Sequence, residues 1–278
     1  MSSSVLAVTS ADDSQPRSSA PRGRVISVLS PKGGVGKTTV ATNLAVGLAK
    51  RSPGSTVLVD LDVQFGDVAS ALNLTPRHSL ADTIQGSAGC DTMVLKTFLT
   101  QHATGLHVIC GVDSPAAADM VTADDVSRLL GTLAAEFRYV VVDTAPGLLE
   151  HTLAALDETT DPLFVTTMDV PGVRGLRKEL KTLDDLGMFV GTRYVALNLT
   201  DRRSGMSVAD VEATIGTGVD LQLPRSKSVP TSVNLGVPLL QSGTRDPMTK
   251  KLNTLVDHYT GSGRRDRRTR GRHIGARR

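Results

Sequence analysis

Aromatic residues, cysteines and long apolar runs are all scarce in this sequence of 278 residues. There is no tryptophan, and aromatic side chains make up 3% of the chain, so the core must consist of valine, leucine, isoleucine and alanine. The longest apolar runs, such as residues 139–142, are far shorter than the ~20 residues of a membrane-spanning helix. The first residues lack the basic start and long apolar core of a secretion signal. These absences predict a cytoplasmic protein.

The two cysteines, Cys90 and Cys110, exclude a fold that is held together by disulfides. Their spacing is not that of a metal-ligand pair. We expect both to be reduced thiols, as is usual in the cytoplasm.

Positive charge is concentrated at the end of the chain. The net charge is +3, but the segment from Arg264 to Arg278 holds eight arginines and one aspartate, or +7, which leaves −4 for residues 1–263. Residues 1–23 are rich in serine, alanine, proline and aspartate, a composition typical of a disordered leader. We therefore predict three parts: a disordered leader over 1–23, a folded domain over 24–260 and a basic disordered tail over 261–278.

Short apolar runs alternate with helical stretches from residue 24 onward. Continuous apolar runs are typical of strands that are buried on both faces, as in a parallel sheet covered by helices. The predicted strands are 25–29, 57–59, 106–109, 139–142, 163–165, 194–197 and 219–223. The predicted helices are 38–50, 66–73, 91–99, 123–136, 172–186, 207–215 and 246–259. This alternation predicts one doubly wound α/β domain with a mostly parallel sheet and helices on both faces.

The strongest motif lies between the first strand and the first helix, where residues 30–39 read Ser-Pro-Lys-Gly-Gly-Val-Gly-Lys-Thr-Thr. Glycines there let backbone N–H groups surround phosphates, and the start of the helix adds positive potential. Lys37 would supply a charge to the phosphates, and the Thr38 hydroxyl would bind Mg²⁺. Seven consecutive residues are predicted to bind the nucleotide: Gly33, Gly34, Val35, Gly36, Lys37, Thr38 and Thr39.

Two aspartates follow the second predicted strand, at positions 60 and 62. Side chains at the carboxyl ends of parallel strands point into the crevice where ligands bind. Alternation along the strand would place Asp60 and Asp62 on the same side, toward the nucleotide. A solvated turn is the alternative for such a pair taken alone, but the neighbouring phosphate loop favours the functional interpretation.

A third aspartate, Asp143, ends the apolar strand 139–142. This position predicts a carboxylate that holds Mg²⁺, as in the Walker B motif. Pro146 and Gly147 follow, and they suit a loop that changes shape when the γ-phosphate leaves.

The segment from Lys32 to Thr38, with Pro31 in place of the usual first glycine, resembles the deviant Walker A motif of the MinD/ParA ATPases. The resemblance covers about residues 24–250 and implies an enzyme that hydrolyses ATP with Mg²⁺. In that family the signature lysine reaches across a dimer to the partner's nucleotide, which implies this catalytic role for Lys32 and a homodimer on ATP binding.

The same resemblance extends to the segment that contains Asp62. It is similar to the family's Asp-x-Asp-Pro-Gln switch I motif, with Val63 in place of the proline. The resemblance implies that Asp62 orients and activates the attacking water beside Mg²⁺, whose other protein contacts are Thr38 and Asp143. It also implies that Asn198 and Pro224 contact the adenine base, although Arg225 stands near where many relatives have an aspartate.

Three further segments, 62–69, 80–82 and 232–238, resemble the CpaE/TadZ-like ATPases of tight-adherence pilus systems. Such proteins often carry a receiver-like domain before the ATPase, whereas this chain has its 23-residue leader. The resemblance implies a localisation switch with a pilus or secretion protein as its partner, recruited to the inner face of the membrane or to a cell pole.

Three other functions stay open. A ParA-type partition ATPase would bind DNA nonspecifically. A reductase similar to the Fe protein would need cysteines to hold a cluster between subunits, and Cys90 and Cys110 are the candidates. A scaffold that does not hydrolyse ATP is disfavoured by Lys37, Asp62 and Asp143.

The arginine tail has alternatives of its own. Weak electrostatic contact with DNA or with anionic lipid is one interpretation, and a solvated terminus is the other. With Ile274 as its one large aliphatic residue, the tail is unlike the amphipathic membrane helix of MinD proteins.

Overall fold

Buried strands alternate with helices along the part of the chain that this computed structural model describes, which is residues 22–84, 92–112, 114–188, 193–201, 203 and 205–261. The described residues form eight strands in one sheet. They are β1 Arg24–Leu29, β2 Thr56–Leu61, β3 Thr100–Gln101, β4 His107–Ile109, β5 Tyr139–Thr144, β6 Asp161–Thr167, β7 Tyr194–Thr200 and β8 Leu221–Pro224.

The strands lie in the order β3-β4-β2-β5-β1-β6-β7-β8. All neighbouring pairs are parallel except β3 and β4, which are antiparallel at one edge. Because β1 lies between β5 and β6, the chain leaves it in one direction toward β2 and later returns to its other side. The carboxyl end of β1 is therefore the switch point at which open α/β sheets bind ligands. The doubly wound, mostly parallel α/β fold is confirmed.

Helices cover both faces of the sheet. One face carries α1, α2, α11 and α12, and the opposite face carries α3, α4 and α6 to α9. The helices are α1 Lys37–Arg51, α2 Val68–Ala71, α3 Leu80–Ile84, α4 Thr92–Phe98, α5 Pro115–Ala118, α6 Ala123–Glu136, α7 Glu150–Glu158, α8 Val170–Asp185, α9 Val208–Ile215, α10 Ser228–Leu235, α11 Leu239–Ser242 and α12 Pro247–Thr260.

Capping boxes begin two of the helices that the sequence predicted well. Thr122 and Ser207 form capping boxes that start α6 and α9, and both predictions lie within one residue of the observed bounds. By contrast, α7 and α10 begin without a side-chain cap, and the sequence did not predict them. The predicted helix 66–73 is shortened to α2, because Asp67 does not cap it and Leu72 already leaves the helix.

The predicted leader and tail lie almost entirely outside the described residues, and only the end of the leader can be compared with the structure. Gly23 donates a backbone hydrogen bond of 2.7 Å to Ala134, and Arg22 pairs with Glu158, so the last two residues of the predicted leader contact the body. Residues 1–21 and 262–278 lie outside the described part, so the leader and the arginine tail stay predictions. None of the described helices combines the length and apolar character that a bilayer crossing requires.

The last helix, α12, packs along α1. Met248, Leu252, Leu255, Val256 and Tyr259 are all buried, which confirms the predicted apolar stripe. Its carboxyl end is held by Arg24, whose guanidinium donates to the carbonyl oxygen of Tyr259 at 2.9 Å.

We predict that α12 stabilises the domain through Leu255, which is fully buried. Leu255→Ala should lower the free energy of unfolding by about 2–5 kcal/mol, because it leaves a cavity against α1. The control Thr254→Ala changes an exposed neighbour and should shift it by at most about 0.5 kcal/mol. Urea unfolding followed by circular dichroism measures both, and equal effects would show that α12 is not docked.

Candidate nucleotide-binding site

The phosphate-binding loop joins the carboxyl end of β1 to the first turn of α1. Gly36 precedes the helix with a φ of 94°, in the left-handed region that favours glycine, and no side chain caps this helix end. The first N–H groups of α1 are therefore available to an external acceptor, and the helix dipole favours an anion there. The loop has the geometry of a phosphate site.

Gly36 is also required by packing. A Cβ atom at this position would lie 2.5 Å from Nδ2 of Asn198. That nitrogen donates a hydrogen bond of 2.7 Å to the carbonyl oxygen of Val35. Asn198 lies on β7 and is 5% exposed. Its side chain therefore holds the loop against the sheet. Its contact with adenine stays a prediction.

The loop after β5 contacts the phosphate-binding loop directly. The N–H of Gly147 donates to the carbonyl oxygen of Ser30 at 2.8 Å. The hydroxyl of Ser30 in turn donates to the carbonyl oxygen of Lys32 at 2.8 Å. Ser30 therefore links the segment after β5 to the backbone of Lys32.

Lys37 and Asp143 form the charged centre of the site. Lys37 is 7% exposed, and burial lowers the pKa of its ammonium group against the opposing effect of Asp143. Burial raises the pKa of Asp143 to about 6, although a hydrogen bond with the Thr38 side chain and the charge of Lys37 both lower it. Each of the two buried charges thus favours the ionised form of the other.

The donor atoms here fit Mg²⁺. Oδ1 of Asp143 is buried, and none of the residues that the structure describes forms a hydrogen bond with it. The Thr38 side chain lies against the same carboxylate. Carboxylate and hydroxyl oxygens are ligands that Mg²⁺ prefers, and a bound cation would compensate for the buried charge.

Asp60 and Asp62 have different surroundings at the end of β2. Asp60 is enclosed, and its carboxylate accepts the N–H groups of Asp62 at 3.3 Å and Val68 at 3.1 Å, so it fixes the loop between them. Burial, followed by repulsion from Asp143, raises the pKa of Asp60 to about 8. Asp62 is half-buried, and its charge acts on both Lys37 and Asp143. The structure thus places Asp62 beside the centre.

Lys32 contacts its own chain. Its Nζ lies 3.5 Å from Oδ1 of Asp169, and both side chains remain nearly half exposed. Asp169 caps α8 by accepting the N–H of Gly172 at 2.8 Å. An exposed ion pair of this kind contributes about 0–1 kcal/mol, so it can be exchanged readily.

The remaining predicted residues lie at the edges of the site. Gly33 and Gly34 are exposed in the loop. Thr39 is in the first turn of α1, where its carbonyl oxygen accepts from Asn43 at 2.8 Å. Pro224 ends β8, where it pairs with Thr200 of β7.

Comparisons with known proteins agree with this arrangement. A family model described as an AAA domain matches residues 23–188. The chromosome partitioning protein ParA of Caulobacter vibrioides is 31% identical over 242 residues, which cover 78% of this chain and 86% of that protein. The chain belongs to the MinD/ParA family of P-loop ATPases.

Solved structures of the same family have the same fold. The ParA family ATPase of Chlorobium tepidum superimposes with a TM-score of 0.80 at 23% identity, over 84% of this chain and 99% of that one. The septum site-determining protein MinD of Pyrococcus horikoshii, solved with Mg-ADP, gives 0.74 at 17% identity, over 85% and 95%.

One charged residue at this MinD/ParA site was not predicted from the sequence. Glu179 of α8 is buried, which raises its pKa to about 7, while the charge of Lys37 acts to lower it. The available signal was its helical spacing, three residues after Leu176 and four before Leu183, which places a carboxylate on the buried face of α8.

The Fe protein-like alternative is disfavoured by the position of Cys110. Its side chain is enclosed in the core between the sheet and α1, so it cannot reach a cluster shared with a second subunit. Cys90 lies outside the described residues.

We predict that Gly36→Ala abolishes nucleotide binding, because its methyl group would displace Asn198 from the loop. Gly54→Ala is the matched control: Gly54 has a similar φ of 78°, but a Cβ there meets open space. Both variants should lose about 1–2 kcal/mol from backbone strain, which thermal unfolding checks. Titration with fluorescent ADP should show a loss for Gly36→Ala alone, and wild-type affinity in that variant would contradict the packing argument.

Proposed function

We propose that this protein is an Mg-ATP-dependent ATPase that dimerises when it binds ATP and acts as a spatial switch. The observation that carries the proposal is the convergence of Lys37, Asp62 and Asp143 on one phosphate-binding loop. Lys37 and Asp143 interact electrostatically as a buried pair, and Asp62, in the loop after β2, acts on both of them.

The chemistry follows from these positions. The helix end at Gly36 and the ammonium group of Lys37 bind and orient the phosphates. Thr38 and Asp143 would hold Mg²⁺, which neutralises charge that develops on the phosphate oxygens. Asp62 accepts a hydrogen bond from Phe65 N–H at 3.2 Å, which orients its carboxylate in the loop after β2, and from there it would position the attacking water.

Dimerisation is supported by the surface around the site. Phe65 is 80% exposed in the loop after Asp62, and Leu149 is 55% exposed beyond Gly147. Two large apolar side chains thus lie in the two loops that would respond to the γ-phosphate. Lys32 is held by one weak ion pair at the same rim. A second copy of the chain would bury the apolar groups and receive Lys32 at its nucleotide.

We predict that wild-type protein doubles its mass with Mg-ATP and not with Mg-ADP. Lys32→Ala should stay monomeric, because the charge that crosses to the partner is removed. Asp62→Ala should dimerise and hydrolyse ATP at least about 100-fold more slowly, as expected when a group that positions the nucleophile is lost. Light scattering after size exclusion and phosphate release measure the two properties.

An exposed lysine away from the loop provides the control for this test. Lys251→Ala removes one exposed positive charge on α12 and should behave as wild type. Equal wild-type masses with and without ATP would contradict the dimer.

The cellular role that we favour is tight-adherence pilus assembly or polar positioning, with a pilus or secretion protein as partner. The supporting observation is the resemblance of segments 62–69 and 232–238 to CpaE/TadZ-like proteins. In this role the ATPase is cytoplasmic and is recruited to the inner face of the membrane or to a cell pole.

Chromosome or plasmid partition is the second candidate. It is favoured by the similarity to the Caulobacter partitioning protein and by the arginines between Arg264 and Arg278, which could bind DNA phosphates.

Deletion of residues 264–278 tests whether the arginine tail provides the DNA binding that partition requires. If the tail binds DNA, deletion should weaken binding, and wild-type affinity should fall steeply between 50 and about 200 mM salt. Replacing the eight arginines by lysines keeps the charge and should preserve such binding. Liposomes with anionic lipid serve as the second ligand, and unchanged binding to both would show that the tail is a solvated terminus.

A further inference from the structure

Glu179 is buried without a hydrogen-bond partner. It is 5% exposed, and neither Oε1 nor Oε2 forms a hydrogen bond with any residue in the described ranges. Burying a carboxylate in this way is costly unless another charge compensates for it. An apolar residue of similar size would avoid that cost at this position, so the carboxylate calls for a functional explanation.

Its helix is packed against the phosphate-binding loop. A Cβ atom on Gly175 would lie 3.0 Å from Cγ of Pro31, so only the absence of a side chain lets α8 come this close. At the start of the same helix, Asp169 pairs with Lys32. One helical turn beyond Gly175, Glu179 acts electrostatically on Lys37. Between its cap at Asp169 and Glu179, α8 therefore approaches the loop at Lys32 and Pro31 and acts on Lys37.

Three carboxylates act on Lys37, and Glu179 differs from the other two. Asp143 and Asp62 act from strand ends, where Mg²⁺ would compensate for their charge. Glu179 acts from the buried face of α8, and it is not among the residues that fit the metal, which are Thr38 and Asp143. When Mg-nucleotide is bound, the metal would not compensate for Glu179, whose negative charge would continue to act on Lys37.

We propose that Glu179 is a positioning residue that acts through Lys37 to limit the affinity of the site for nucleotide, and so promotes the release of ADP. The inference rests on the proposed function. A fixed negative charge near the loop weakens the positive potential that the phosphates meet, and the effect is strong because the surroundings are buried. The carboxylate thereby offsets the helix dipole and the two lysines, which otherwise favour a tightly held product.

The test is Glu179→Gln, which keeps the shape of the side chain and removes the charge. Binding and release of fluorescent Mg-ADP are measured at pH 8, above the pKa of about 7 of Glu179. We expect ADP to bind at least about threefold tighter, with a correspondingly slower release, since one repulsive charge is lost. A merely structural role would change affinity in the opposite direction, because a disturbed loop binds phosphate less well.

Two further variants make the result decisive. Asp184→Asn removes one charge from the exposed end of the same helix, where it pairs with Arg193, and should leave ADP affinity unchanged at 150 mM salt. Glu179→Met replaces the carboxylate by an apolar chain of similar size and should also bind ADP more tightly, with thermal stability equal to or above that of wild type.

The possible failures are distinguishable. If wild-type protein does not bind ADP, the proposed function fails. If wild-type protein binds ADP and both Glu179 variants bind it equally or more weakly, the inference about Glu179 is overturned.

Discussion

The candidate site depends on the balance of charge around the buried ammonium group of Lys37. Burial alone lowers its pKa, and the carboxylates of Asp143, Asp62 and Glu179 act against that effect. Because this ammonium group is already buried, it can bind phosphate without first losing a full hydration shell. Because the loop around it presents N–H groups and few side chains, the lysine and the helix dipole together supply the positive potential that a nucleotide requires.

The charged residues that set this balance come from elements that are distant in the sequence. Lys37 comes from α1, Asp143 from β5, Asp62 from the loop after β2 and Glu179 from α8. The parallel sheet brings the first three together, because the carboxyl ends of β1, β2 and β5 share one edge. The close approach of α8 at Gly175 adds the fourth. The loop is further tied to β7 by Asn198 and to the segment after β5 by Gly147.

Motifs whose physics is local could be predicted well. The glycines, lysine and threonines of residues 33–39 need only a strand before them and a helix after them to form a phosphate site. Capping boxes at Thr122 and Ser207 fixed two helix starts. The apolar pattern did not predict α7 and α10, which begin without side-chain caps. Strand alternation placed Asp60 and Asp62 together on the nucleotide side, whereas the backbone N–H groups of Asp62 and Val68 bind Asp60 and make it a support for the loop.

The sequence by itself determined the fold class, the phosphate-binding loop and the aspartates at the strand ends, because periodicity and short motifs encode them within a few neighbouring residues. Only the tertiary structure showed that Asn198 supports Val35, that Lys32 pairs with Asp169 and that Glu179 acts on Lys37. These contacts join residues more than a hundred positions apart. They arise from how α8 and β7 pack against the loop. No local pattern in the sequence specifies how closely these two elements approach it.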